Sequence, residues 1–149
     1  MNKDQVRDFL TEVYQEIIVN LHVEKIPHYF SDQYIQVTDG KKTDINEFRD
    51  HIITLKEIVR SIELSPFYDF LFDQDKQTAV LRYTVTVTKK DGAVGEVEVI
   101  AIFELNDFKI VRCNELSCPL HHNDLFKDIA TMNKNEFLSK ERGLSKKSS

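Results

Sequence analysis

The 149-residue chain has no tryptophan, three prolines, four glycines and two cysteines. With so few glycines a phosphate-cradling loop is not expected, and no G-x-S-x-G elbow, H-E-x-x-H pair or EF-hand loop is present. Cys113 and Cys118 lack the C-x-x-C spacing of a redox or zinc pair. An odd spacing along one extended stretch points them to opposite faces, so reduced thiols are expected. No apolar run reaches the ~18 residues that a transmembrane helix needs. The start, Met-Asn-Lys-Asp-Gln, leads into a charged pattern without a signal-peptide apolar region. A cytoplasmic protein without a membrane partner is the expectation. Excess positive charge is also missing: a formal net charge of −5 argues against a dedicated nucleic-acid binder. His121-His122 with Asp124 superficially resembles a metal set, but no second cluster at suitable spacing joins it, and neither metal nor cofactor is expected.

What is present is a long β-type block, Thr78 to Ser117. On its first segment Ala79, Leu81, Tyr83, Val85 and Val87 share one face, with Val80 and Arg82 among threonines on the other. On its second, Val97, Val99, Ala101, Phe103 and Leu105 alternate with Glu96, Glu98, Ile100, Ile102 and Glu104. A two-residue Asp91-Gly92 turn would pair Val85 with Glu98 and oppose the apolar sets. A Lys90-Asp91-Gly92 loop pairs Val85 with Val97, Tyr83 with Val99 and Leu81 with Ala101, so side-chain parity selects it, with Gly92 left-handed. Continuing through an Asn106-Asp107-Phe108 loop pairs Ala101 with Cys113 and Val99 with Glu115. Glu115 then stands as a lone carboxylate on the apolar face; a slip of one residue would turn it outward.

Ahead of the block, Asn2 and Gln5 form a capping box for a helix over about Lys3 to Asn20, buried through Val6, Leu10, Val13, Ile17 and Leu21. Tyr14 lies at the edge of that stripe. Val23–Tyr29 reads as a short helix interrupted near Pro27. In the strand Phe30–Asp39, Tyr34, Gln36 and Thr38 share a face, and Asp39-Gly40 is a turn. Asp44 and Glu47 cap a helix whose stripe is Phe48, Ile52, Leu55 and Val59, with His51 read as a surface residue. Ser61–Asp73 is an aromatic strand broken at Pro66. One domain is expected over 1–120. A C-terminal extension, 121–149, carries a weak helix and then a disordered basic tail, with Lys140, Arg142, Lys146 and Lys147 set against Glu141.

The order helix, short helix, short strand with turn, helix, then strands resembles the nuclear transport factor 2-like superfamily, and within it the SnoaL-like, polyketide cyclase-like group. The likeness rests on YFSDQYIQVTDGKKTDINEFRDHI and on AVLRYTVTVTKKDGAVGEVEVIAIFELNDFKIVRCNELS. It implies an α+β cone, also described as cystatin-like, in which a curved antiparallel sheet wraps around N-terminal helices. It further implies that Tyr14, Gln36, Thr38, Tyr83 and Glu115 approach a cavity in the cone, where Cys113 would lie beside Glu115. The chain departs from its relatives in two ways. SnoaL-like members often carry His where Val37 stands. Ketosteroid isomerases would place a catalytic Asp near Thr38 and a protonated acid near Ala101, and both are absent here.

Two functions fit these residues. The first is a pocket for a small apolar or partly polar organic ligand, with Glu115 as the acid–base carboxylate of an isomerase, cyclase or dehydratase. Tyr14, Gln36, Thr38, Tyr83 and Cys113 would bind the ligand. The alternative is a non-catalytic homodimeric interaction or ligand-binding module, joined through Val80, Arg82, Ile100 and Ile102. That face is too apolar for plain solvent contact.

Overall fold

A computed structural model describes residues 1–120. The expected extension, its helix and the His121-His122-Asp124 group therefore lie outside the described residues. Helix α1, Lys3–Val13, opens on the Asn2–Gln5 capping box and buries Val6, Leu10 and Val13. The helix expected to run on in α form instead widens into a π-helical turn, Tyr14–Val19, that buries Tyr14 and Ile17. A 3-10 turn, Val23–Lys25, leads into the one-turn helix α2, Ile26–Tyr29, with Pro27 in its first turn. Strand β1, Phe30–Thr38, turns through Asp39 and Gly40, both at positive φ, into β2, Lys41–Asp44. Helix α3, Ile45–Ile58, begins at the Asp44–Glu47 capping box and buries Phe48, Ile52 and Leu55.

The remaining strands are β3, Val59–Leu64; β4, Asp69–Asp73; β5, Thr78–Lys89; β6, Val94–Asn106; and β7, Lys109–Pro119. With β1 and β2 they form one curved, unclosed sheet of seven strands, in the order β2-β1-β7-β6-β5-β3, with β4 paired to β5 off this path. The break at Pro66 lets β3 and β4 share one edge of β5, the first along Val85–Lys89 and the second along Thr78–Arg82. All pairings are antiparallel except that of β1 with β7. Helix α1, the π turn and α3 cover the concave face, where Ala79, Leu81, Tyr83, Val97, Val99, Ala101 and Phe103 are buried.

The β5–β6 hairpin has the register that parity selects: Val85 opposite Val97, Tyr83 opposite Val99 and Leu81 opposite Ala101, with Gly92 at φ +94°. The β6–β7 register differs from expectation. Asp107 and Phe108, at φ +50° and +61°, make a two-residue turn, so Asn106 faces Lys109. A bulge between Glu104 and Leu105 then absorbs Val111, and Phe103 faces Cys113 while Ala101 faces Glu115. The turn shifts the register by one residue and the bulge by one more. Two odd shifts restore parity, so Glu115 remains on the concave face although its partner is Ala101 rather than Val99.

Phe108 occupies a left-handed position that glycine adopts without steric cost, and its ring is 65% exposed. Phe108→Gly is expected to stabilise the fold by about 1 kcal/mol, read as a higher urea midpoint at unchanged m-value.

Candidate functional site

Parallel pairing sets Thr38 beside Glu115 and Gln36 beside Cys113, all four on the concave face. Thr38 Oγ1 donates to Glu115 Oε1 at 2.8 Å, and Gln36 Nε2 reaches the same oxygen at 3.3 Å. Gln36 Nε2 also lies 2.8 Å from Thr38 Oγ1, and Tyr34 Oη donates to Gln36 Oε1 at 2.7 Å. Cys113 Sγ contacts Glu115 Oε2 at 3.9 Å. Arg112 and Lys109 take no part. Arg112 lies 3.3 Å from Glu104, and Lys109 donates to the Pro27 carbonyl.

With no cation beside it among the described residues, the Glu115 carboxylate is penalised by burial, which pushes its pKa up to about 7. The Thr38 hydrogen bond favours the ionised form and opposes that rise, the negative charge of Asp39 adds to it, and the Cys113 contact opposes it. Burial also raises the phenols of Tyr14, Tyr34 and Tyr83 and the Cys113 thiol well above their ordinary values. All four therefore stay protonated near neutrality. Tyr14 and Tyr83 are joined by a hydrogen bond, with ring centroids 4.8 Å apart, and Phe67 and Phe103 pack edge-on against Tyr14.

These groups line a cavity of about 100 Å³. Apart from His51, its remaining walls are apolar, with Phe30, Phe48, Leu55 and Val97 among them. Tyr14, Gln36, Tyr83, Cys113 and Glu115 all line it, while Thr38 is buried and linked to the cavity through Glu115 and Gln36. Two lining residues with polar groups, Tyr34 and His51, were not read from the sequence as part of a site. Tyr34 alternates with Gln36 and Thr38 on β1, so the period of two already placed it there. His51, taken as a surface residue, lines the cavity as well. It lies three residues after Phe48 and four before Leu55, on the margin of the buried stripe of α3.

No family model matches the sequence, and no curated protein matches it. Solved structures do match. AusH from Aspergillus nidulans superposes with a TM-score of 0.69 at 15% identity, over 78% of this chain and 86% of that one. IdmH from Streptomyces antibioticus, described as a candidate polyketide cyclase, gives 0.62 at 11% identity, over 74% of this chain and 89% of that one. A protein from Exiguobacterium sp. 255-15, described as nuclear transport factor 2-like and of unknown function, gives 0.55 at 20% identity, over 68% and 86%. The chain has the nuclear transport factor 2-like fold. Within this nuclear transport factor 2-like cone, the described residues bring together no group of three or more side chains that could hold a metal ion. None of their helices is long and apolar enough to cross a membrane.

A buried acid with a raised pKa makes stability pH-dependent. Between its ordinary pKa of 4.5 and its folded value of about 7, the folded state holds a proton that the unfolded chain has released. Stability therefore falls as pH rises through that window and levels off above it. Relative to Glu115→Gln, which lacks the titration, the native protein should lose about 3 kcal/mol between pH 4.5 and pH 8. Urea unfolding of both proteins across that range reads the difference. Thr38→Val removes the hydrogen bond that favours the carboxylate, so the upper end of the window should move higher.

Proposed function

We propose that the chain is a SnoaL-like domain that binds a small, mostly apolar carbonyl compound in the cone and moves a proton on it with Glu115. The observation that carries this reading is a lone carboxylate on an apolar cavity wall, poised near pH 7 with no counter-ion among the described residues. A base with that proton affinity takes a proton from the carbon next to a carbonyl and can return it to another atom, as isomerisation or dehydration requires. Charge then develops on the carbonyl oxygen. The protonated Tyr14–Tyr83 pair supplies a hydrogen-bond donor for that oxygen in a site shielded from water. The chemistry needs no cofactor.

Cavity size narrows the substrate. A dry cavity of roughly 150 Å³ holds one benzene ring, whereas pockets for drug-sized ligands span about 300–1,000 Å³. At about 100 Å³, the cone matches a short-chain carbonyl compound smaller than a six-membered ring. Acetone in D2O is a direct probe. The native protein should accelerate deuterium uptake at the α-carbon, measured by mass spectrometry. Glu115→Gln should lower that acceleration by about 10²–10⁴-fold. Uptake equal to buffer alone, together with no detectable binding by NMR, would overturn the reading.

The outer face of the sheet supports a homodimer, through which the alternative, non-catalytic role would also operate. Ile100 and Ile102 are 48% and 40% exposed, and Leu71 and Leu116 are 66% and 67% exposed. Register joins them across strands: Leu71 to Val80 to Ile102, and Arg82 to Ile100 to Leu116. Arg82 is paired with both Asp69 and Glu98, each at 2.7 Å, so a second copy of the same face meets no unpaired cation there, although the trio carries one net negative charge. Sedimentation should give a dimer for the native chain and a monomer for Ile100→Glu/Ile102→Glu. A monomeric native chain at high concentration would remove this interface.

A further inference from the structure

Glu115 lies on an edge-to-edge junction that one residue clamps from both sides. Asp39 follows Thr38 directly and begins the β1–β2 turn at φ +51°. Its backbone N–H donates to the Glu115 carbonyl oxygen at 3.1 Å. Its carboxylate accepts the Ser117 backbone N–H at 2.7 Å and also the Ser117 hydroxyl. The stretch of β7 from Glu115 to Ser117 is thus tied at both ends to the residue next to Glu115's own hydrogen-bond donor. Other turn residues could close the β1–β2 hairpin, and an Asp-Gly pair does so commonly. What the turn geometry does not require is a carboxylate that reaches across to the neighbouring parallel strand.

We propose that Asp39 is the positioning residue for Glu115: by holding the β7 stretch from Glu115 to Ser117 it fixes the carboxylate against Thr38, and it brings a second negative charge to that junction. The inference rests on Glu115 being the proton-carrying group of the site. Charge repulsion from Asp39 acts on Glu115 in the direction that disfavours a second carboxylate. The other ionisable groups around it are Tyr34 from β1, Tyr14 from the π turn, Tyr83 from β5 and Cys113 from β7, with His51 of α3 on the same cavity. The phenols and the thiol stay neutral near pH 7, and among the described residues Asp39 is the negative charge acting on Glu115. Asp39 is exposed, so solvent screens its effect, and salt should act on it directly.

Three proteins separate clamp from charge: the native chain, Asp39→Asn and Ser117→Ala. Asn tolerates the left-handed turn position and retains hydrogen-bonding capacity toward Ser117, so Asp39→Asn should fold. The Glu115 carboxyl carbon, followed by ¹³C NMR, reports its titration directly, whether or not any substrate is turned over. Asp39→Asn should lower the midpoint by about half a pH unit at low salt. Raising salt to 1 M, where the Debye length is about 3 Å, should lower the native midpoint towards that of the variant and leave the variant unmoved. Ser117→Ala keeps the charge and should hold the midpoint at or above the native value while reducing stability. An unchanged or raised midpoint in Asp39→Asn would overturn the proposal, as would equal falls in both variants, which would mark simple loosening of the strand. Loss of deuterium exchange with these titration shifts intact would count against the proposed function and leave the positioning role standing.

Discussion

The site depends on one pairing, the parallel contact between β1 and β7. Every other neighbouring pair in the sheet is antiparallel, and most are joined by short turns. The parallel pair instead joins residues almost eighty positions apart, and it sets Thr38 against Glu115 and Gln36 against Cys113. Without it Glu115 would be an unpaired carboxylate on an apolar wall. With it, one carboxylate oxygen is held by Thr38 and Gln36 while the group keeps its raised proton affinity. The helices then close the concave side, and the bulky rings of Tyr14, Tyr83 and Phe103 leave a small space rather than an open funnel.

Much of this architecture was legible along the chain because it is written in local periods. Both capping boxes form, the Gly92 hairpin takes the register that parity demands, and Pro66 breaks the edge strand. The pattern of Glu115 on the inner face was legible as well, but its partner was not. A bulge has no strong sequence mark here: Val111 is as good a strand residue as its neighbours. The two-residue turn is equally concealed, because Phe108 is a poor sign of a left-handed backbone.

Long-range relations were the least legible. Nothing local in the sequence ties Asp39 to Ser117 or Thr38 to Glu115, since both contacts arise from the parallel pairing. Tyr34 and His51 were within reach, through alternation on β1 and the margin of the α3 stripe. His51 was read as a surface residue beside the stripe, although an amphipathic ring at a stripe margin commonly keeps one side dry. The π turn at Tyr14–Val19 had no local signal either, and it lies at the base of the cavity where Tyr14 meets Tyr83.

The double offset between β6 and β7 has a consequence for how such a chain can change over time. Substitutions within 105–112 alter packing, but the facing of every residue beyond it is a matter of counting. An inserted or deleted codon that altered the turn or the bulge alone would turn Glu115 and Cys113 to the outer surface and carry Asn114 and Leu116 inward. Lineages that keep a buried acid in this cone must therefore change the length of this segment in compensating pairs. Single-codon gaps here should separate descendants that retain the inward carboxylate from those that have lost it.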